Sequence, residues 1–383
     1  MRFLHLADLH LGKQLNGFSL AEDQTYILKR IIALAREHAV DTVLIAGDIY
    51  DRALPSAEAV ELLDAFLTDL AAADITVVAI PGNHDSAQRV GYGAELLAAQ
   101  NVYLARPYTG KLHPLTLSDE YGDVVIWPIP FMRPAHIRPY HEEAEFGSDY
   151  GAALKTMLAT APLDPRVRNV ALVHQLIVSG SRSPETSDSE ITLGTLEAID
   201  ASVLDEFDYV ALGHIHRPQR IGRDTMRYAG SPLKYSASEA RFDKSAVLVD
   251  IKEKGNITCE LIPLIPLHDV RLITGPLSEL ISPDVVQAGD TNDYIYAYIT
   301  DDTLPLNTQA ELRLVYPSLI GLEHRPATST IELAEPLVIQ AAEARDPLSL
   351  FEQFFLEQNQ RELTDDERAL ATEALSESRE PKN

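Results

Sequence analysis

The feature that most constrains this chain is a repeated punctuation: short apolar runs that each end on a chemically active side chain. Residues 3–7 run into Asp8-Leu-His10, residues 42–46 into Gly47-Asp48 with Asp51 close behind, and residues 76–80 into Pro81-Gly82-Asn83-His84-Asp85. Residues 170–173 lead to His174-Gln175, and residues 209–212 to Gly213-His214-Ile215-His216. Such runs, bounded by Gly, Pro or Asp, read as buried strands. Helical patterns separate the first three. Residues 22–38 place Ile27, Ile31, Ile32, Leu34 and Ala35 at helical spacing, and Ser56 opens a second helix extending to Ala73. A β-α-β-α-β order implies a largely parallel sheet covered on both faces. In such sheets ligands gather beyond the carboxyl ends of the strands. Five strand ends can therefore pool their side chains at one rim.

The chain has 383 residues, more than the usual domain of about 100–200. Residues 106–168 are rich in Pro and give no clear period, and the Ser-rich stretch 179–189 reads as a loop. Residues 226–229, 246–251 and 257–262 read as a closing series of antiparallel strands. The pattern changes around Pro263 and Pro266. A small unit follows: strand 270–274, a short helix, strand 294–300, helix 308–315 and strand 318–323. The tail reads as helical. Asp346-Pro347 is an N-cap and first-turn pair, after which Leu348, Phe351, Phe354 and Phe355 repeat at helical spacing. Thr364-Asp-Asp-Glu367 has capping-box form. These changes divide the chain into residues 1–265, a capping unit 266–340 and a helical tail 341–383.

Carboxylate, amide and imidazole side chains at the strand ends suit manganese, zinc or iron, and the lack of thiolates there argues against a soft-metal site. Asp8 and His10 are two apart, as are His214 and His216. In a regular strand each pair would share a face. Asp48 can bridge two cations. Each motif alone is most often a turn or a structural histidine; five of the chain's 12 histidines falling at such junctions is not. The net charge of −26 argues against a free-standing nucleic-acid binder, because phosphate contacts come from Lys and Arg. Bound cations or a basic partner would soften that argument. Cys259 is the sole cysteine, so no disulfide forms within the chain. No run of about 18 apolar residues occurs, and no secretory leader pattern opens the sequence. A soluble cytoplasmic protein with no membrane association is expected.

The ordered set Asp-x-His, Gly-Asp-x-x-Asp, Gly-Asn-His-Asp, His and Gly-His-x-His resembles the calcineurin-like metallophosphoesterase superfamily. Finer features resemble its SbcD-type branch, the nuclease subunits of bacterial SbcCD complexes. They are Arg2-Phe-Leu-His-Leu-Ala-Asp8-Leu-His-Leu-Gly-Lys13, Trp127-Pro-Ile-Pro-Phe-Met-Arg-Pro134, Gly213-His-Ile-His-Arg-Pro218 and Arg227-Tyr-Ala-Gly-Ser-Pro232.

The resemblance implies an α/β fold of two packed mixed β-sheets flanked by helices, with a small α+β capping domain and a helical C-terminal tail. It implies that Asp8, His10 and His216 hold one metal, that Asn83, His174 and His214 hold another, and that Asp48 bridges them. His84 would act beside the scissile phosphate, with Asp85 orienting it; the role of Asp51 stays open. The implied cofactors are two divalent ions, most naturally Mn2+. The implied activity is 3′–5′ exonuclease action on duplex ends and endonuclease action on hairpins or single strands. The implied partner is an SbcC-like coiled-coil ATPase, contacted through Leu348, Phe351, Phe354 and Phe355, in a heterotetramer built on a homodimer. Lys13, Arg52, Arg89 and Arg217 adjoin the motifs and are candidates for DNA contact. The competing reading is a free-standing dinuclear phosphatase or phosphodiesterase acting on a nucleotide or phosphoprotein.

Overall fold

The computed structural model describes residues 1–141, 143–190 and 197–326, together with Thr364 and Arg368. Two six-stranded mixed sheets form the body. The first runs Ile257–Pro263, Ser245–Ile251, Arg2–Leu6, Thr42–Ala46, Thr76–Ile80, Val102–Leu104. Its last four strands are parallel, and Ser245–Ile251 lies antiparallel to Arg2–Leu6. The second runs Gln219–Ile221, Arg223–Tyr228, Tyr209–Gly213, Arg168–His174, Gly122–Ile129, Leu115–Asp119. Its four central strands are parallel.

The period-two alternation of side chains along a strand sorts the residues into layers. Phe3, Leu44, Val78, Ile80 and Val247 meet Val124, Val170, Leu172 and Ala211 in a core between the sheets. The intervening Leu4, Leu6, Val43, Ile45 and Val77 face the other way. They pack on Ile27, Ile31, Leu63, Phe66 and Leu70 of helices Ala21–Glu37 and Ala57–Ala71. Ser56 caps the second helix, its Oγ accepting from Ala59 N at 3.2 Å. On the far side, Ala171, Val173, Val210 and Leu212 pack on Leu154 and Met157 of helix Tyr150–Leu158. The expected pair of mixed sheets flanked by helices is therefore present.

One expectation needs correction. Arg223–Tyr228 does not belong to a closing antiparallel series: it pairs parallel with Tyr209–Gly213 in the second sheet, while the Ser245–Ile251 and Ile257–Pro263 hairpin closes the first. The stretch that gave no clear period contains the antiparallel pair Leu115–Asp119 and Gly122–Ile129, plus the helix Tyr150–Leu158.

Strands Val270–Gly275, Tyr294–Ile299 and Leu319–His324 form a separate three-stranded parallel sheet. Its core joins Ile273, Ile295, Ala297 and Ile299 to Leu312 and Tyr316. This small unit docks on the body through buried Asp23, which accepts from Tyr294 Oη at 2.8 Å and from His268 N at 3.0 Å. Asn16 Nδ2 donates to the Ile320 carbonyl at 2.7 Å. The 341–383 tail, with Leu348, Phe351, Phe354 and Phe355, lies outside the described residues apart from Thr364 and Arg368.

At the amino end of strand Arg168–His174, the buried Arg168 guanidinium reaches Asp119 Oδ2 at 3.0 Å and the Lys252 carbonyl at 2.9 Å. It thereby ties the two sheets together at the end remote from His174. Met in its place would leave the carbonyls of Gly122, Ile251 and Lys252 without this donor, at about 1–3 kcal/mol for each group left unpaired. Arg168→Met should therefore lower the thermal unfolding transition markedly while leaving divalent-metal binding unchanged. Calorimetric melting together with metal titration checks both halves of that expectation.

Candidate metal centre

The five motif loops all leave the carboxyl ends of parallel strands, but their backbone departs from strand geometry at once. Asp8 has φ 54°, His10 43°, Asp48 48° and His214 95°. This left-handed region disfavours residues with a Cβ, at a cost of order 1–3 kcal/mol each. Asp8 and His10 thus do not meet by strand alternation, as their spacing suggested: the strand ends at Leu6, and the turned backbone aims both inward. Other loops hold that backbone in place. Asp8 N donates to the Gly47 carbonyl at 3.0 Å and His10 N to the Asp48 carbonyl at 2.9 Å. His214 N donates to Asp8 Oδ1 at 2.9 Å, and His84 N to Asp48 Oδ1 at 2.9 Å. Two glycines leave room for the rings. A Cβ on Gly47, at φ 91°, would collide with the His174 imidazole, and one on Gly213 with the Ala46 carbonyl.

The structure brings all seven sequence-nominated ligands together. Asp8, His10 and His216 can offer ligand atoms within 4.8 Å of one another, as can Asp8, Asp48 and His174. His10 Nε2 lies 3.1 Å from His216 Nε2. Asn83 Oδ1 lies 2.9 Å from His174 Nε2 and 3.0 Å from His214 Nδ1. Asp48 Oδ2 is 3.2 Å from His174 Nε2 and 3.7 Å from His10 Nε2, between the two groups. Asp8, His10, Asp48, His174, His214 and His216 are all buried.

The donor chemistry fits divalent cations. His174 Nδ1 donates to the Ala46 carbonyl at 2.8 Å, which turns Nε2 toward two oxygen acceptors. His10 Nδ1 is buried without a hydrogen-bond partner, and two imidazole nitrogens face each other across the His10–His216 gap. The titration pattern shows the same demand for positive charge. Burial pushes Asp8 up, against the pull of His174 and His216. Burial would raise Asp48 as well, but His174 and His10 hold it far below the carboxylate range. Burial opposes charge on His174, yet Asp48 and Asp8 raise it, while burial and the neighbouring His174 lower His214 to about 3. The acids thus favour positive charge at His174, in the place where a cation would supply it.

His84 lies at the edge of this cluster, grouped with His10 and Asp48. Its Nδ1 donates to the Asp51 carbonyl at 2.9 Å, so that carbonyl orients the ring. The expectation that Asp85 orients His84 is corrected. The Asp85 carboxylate is taken up by three backbone N–H donors, from Ile49, Tyr50 and Gly82, each at 2.9 Å. It fixes two loops to each other, because a short acceptor close to the turn reaches amides more readily than a ring.

The basic candidates differ in setting. Lys13 Nζ is paired with Asp51 at 2.8 Å, and Arg217 pairs with Glu185 while lying over the Phe242 ring at 4.4 Å. Arg89 donates to the Ala53 carbonyl at 2.8 Å. Arg52, 81% exposed, lies 3.6 Å from Asp51 Oδ2. Sequence reasoning missed Gln24, Tyr235, Glu190, Glu239 and Lys244. Gln24 Nε2 donates to the His10 carbonyl at 2.8 Å, and Tyr235 Oη to the Leu9 carbonyl at 2.5 Å. A buried Gln within the apolar stripe of helix Ala21–Glu37 was a readable signal; the other four stand as isolated polar residues with no informative spacing. A cavity of about 490 Å3 lined by Asn169, Asp208 and Arg223 opens at the opposite, amino ends of the second sheet's strands, away from this chemistry.

Residues 1–218 match the Calcineurin-like phosphoesterase family, and residues 266–359 match the Type 5 capsule protein repressor C-terminal domain, SbcD_C. The first match spans more than half of the chain, so the chain belongs to the calcineurin-like phosphoesterase family, and the second makes it an SbcD-like member. Solved structures similar to it include a dimetal phosphatase from Danio rerio, at 12% identity and TM-score 0.39, covering 69% of this chain and 96% of that one. GAP50, the anchor in the inner membrane complex of Plasmodium, matches at 15% identity and TM-score 0.38, covering 85% and 98%. TT1561 of Thermus thermophilus matches at 13% identity and TM-score 0.38, covering 68% and 98%. At these identities and scores they say nothing about substrate. No helix among the described residues is long and apolar enough to cross a membrane.

Gly213→Ala should displace the strand end that carries His214 from the Ala46 carbonyl. Overpacking of this kind costs about 1–3 kcal/mol or more. The variant should melt lower and bind divalent metal more weakly, both read by metal titration and calorimetry.

Proposed function

We propose that this chain is the nuclease subunit of an ATP-dependent DNA-processing complex of the SbcCD type, using manganese to hydrolyse phosphodiesters at duplex ends and in hairpins or single strands. The observation that carries this reading is one chain joining the buried oxygen-and-imidazole cluster to an SbcD-type C-terminal domain. Two metals, held by Asp8, His10 and His216 and by Asn83, His174 and His214 with Asp48 between them, would activate water and neutralise charge on the phosphate.

The chain's own residues do the rest. Asp48 and Asp85 take backbone N–H groups from the loop that carries Asn83 and His84, so that loop cannot drift. With Nδ1 given to the Asp51 carbonyl, His84 presents Nε2 to the substrate. From there it can donate a hydrogen bond or proton to the leaving oxygen, a role worth about 100- to 10,000-fold in rate. The chain carries a net charge of −26, so phosphate attraction falls to the bound cations, to Arg52 and the other rim cations, and to a more basic partner.

Asp48→Asn should abolish manganese-dependent cleavage of linear and hairpin DNA and lower metal occupancy; near-normal cleavage would remove Asp48 from the bridging role. His84→Gln should keep both metal equivalents and lose turnover by about 100- to 10,000-fold. Elemental analysis of that variant is the check, and loss of one equivalent would place His84 among the ligands.

The tail aromatics give the partner test. Apolar side chains at helical spacing suit docking into a groove on a partner, here the root of a coiled-coil ATPase. Phe351→Ala combined with Phe355→Ala should leave the melting temperature of the isolated chain nearly unchanged. It should weaken co-purification with the ATPase, each aromatic contributing about 2 kcal/mol or more. A large fall in melting temperature with partner binding intact would assign these aromatics to the protein's own core.

A further inference from the structure

A buried charged network lies beneath His216, and nothing in the proposed chemistry uses it. His216 Nδ1 faces Glu239 Oε1 at 3.2 Å, and the His216 backbone N–H donates to Glu190 Oε1 at 2.6 Å. Glu239 comes from the short turn Ala237–Arg241 and is fully buried. Its other oxygen accepts from Lys244 Nζ at 2.6 Å. Lys244, itself buried, also donates to the His216 carbonyl and to Ser231 Oγ, each at 2.8 Å. Ser189 Oγ adds a further hydrogen bond to Glu239 Oε1 at 2.5 Å.

Placing a carboxylate and an ammonium in a core is unfavourable unless their geometry and remaining hydrogen bonds are complete, and apolar residues of similar volume often serve stability as well or better. Stability alone therefore gives little reason for this pair. Its contact with the metal cluster is the His216 residue. The other rings are set differently: His174 and His84 give Nδ1 to the backbone carbonyls of Ala46 and Asp51, and His214 Nδ1 lies on Asn83. Among the described residues, only His216 of the site histidines sets Nδ1 against a carboxylate within hydrogen-bond distance.

We propose that Glu239, locked by Lys244, is the positioning residue that presents His216 Nε2 to the metal on the Asp8 and His10 side, with Glu190 fixing the same residue's backbone. The proposal rests on the metal-site reading above. Glu239 accepts a hydrogen bond from Nδ1–H, which leaves Nε2 bare toward His10, and a carboxylate on the far nitrogen makes the ring a stronger ligand. Lys244 grips both the orienting carboxylate and the carbonyl of the residue it orients, so ring and backbone are fixed as one piece. This also gives a physical role to the Gly230-Ser231-Pro232 segment. Ser231 completes the lysine's hydrogen bonds, and a Cβ on Gly230 would press on the His216 carbonyl and the Pro218 ring.

The test is manganese titration calorimetry on the purified full chain. The wild type should bind two equivalents. Glu239→Gln should weaken one of them by about 10- to 100-fold and leave the other unchanged. Glu239→Gln combined with Lys244→Met leaves no unpaired charge in the core and should show the same split, which covers failure of the single variant to fold. The wild type provides a third arm: with zinc bound, nitrogen-resolved NMR of labelled histidine should show His216 protonated at Nδ1. Equal weakening of both equivalents, no weakening of either, or an Nε2-protonated His216 would overturn the proposal. The split seen in a chain that cleaves no DNA supports the proposal and overturns the nuclease reading; a wild type that takes up no manganese overturns both.

Discussion

Asp48 is the residue to which the other loops refer. Its carbonyl accepts from His10 N, and Oδ1 accepts from His84 N. Oδ2 faces the rings of His174 and His10. Two loops and one strand end are thereby measured from a single residue just beyond the carboxyl end of strand Thr42–Ala46. Asp85 repeats the device one loop further out, with three backbone donors on one carboxylate. A carboxylate can accept several hydrogen bonds at once, so each of these two acids does for loop geometry what a further strand pairing would do for a sheet.

The sheets make such loops tolerable. Side chains of both sheets interlock in a buried apolar layer, and Arg168 binds their remote ends. The rim carrying the motifs can then depart from regular backbone without loosening the body. Electrostatics follow from the same arrangement. Six of the seven nominated ligands are buried, and their charges are balanced inside the cluster more than by water.

Much of this was legible in the sequence, for identifiable reasons. Strands Thr42–Ala46 and Thr76–Ile80 are unbroken apolar runs between polar stops, and their bounds could be read directly. The helix Thr308–Val315 was equally plain. The ligand types were visible because each sits just past such a run. Strand partnership was not visible: nothing local in residues 223–228 says that their neighbour is Tyr209–Gly213 and not the hairpin that follows. The left-handed backbone at Asp8, His10 and Asp48 was hidden too, since residues with a Cβ rarely signal it. Glu239 and Lys244 were invisible for a third reason. They reach His216 only after the chain has built its second sheet and returned to the first.

The left-handed residues at the rim carry an evolutionary implication. Asp8, His10 and Asp48 occupy backbone that glycine would adopt with less strain. At His10 the residue best for folding and the residue best for chemistry differ, whereas the carboxylates of Asp8 and Asp48 serve both. A lineage released from the need for hydrolysis would drift toward glycine first at His10, whose ring holds no backbone group, and not at Asp8 or Asp48, whose carboxylates also accept backbone N–H groups. An imidazole on such backbone thus marks, in a dihedral angle, a place where this chain gives up stability for chemistry.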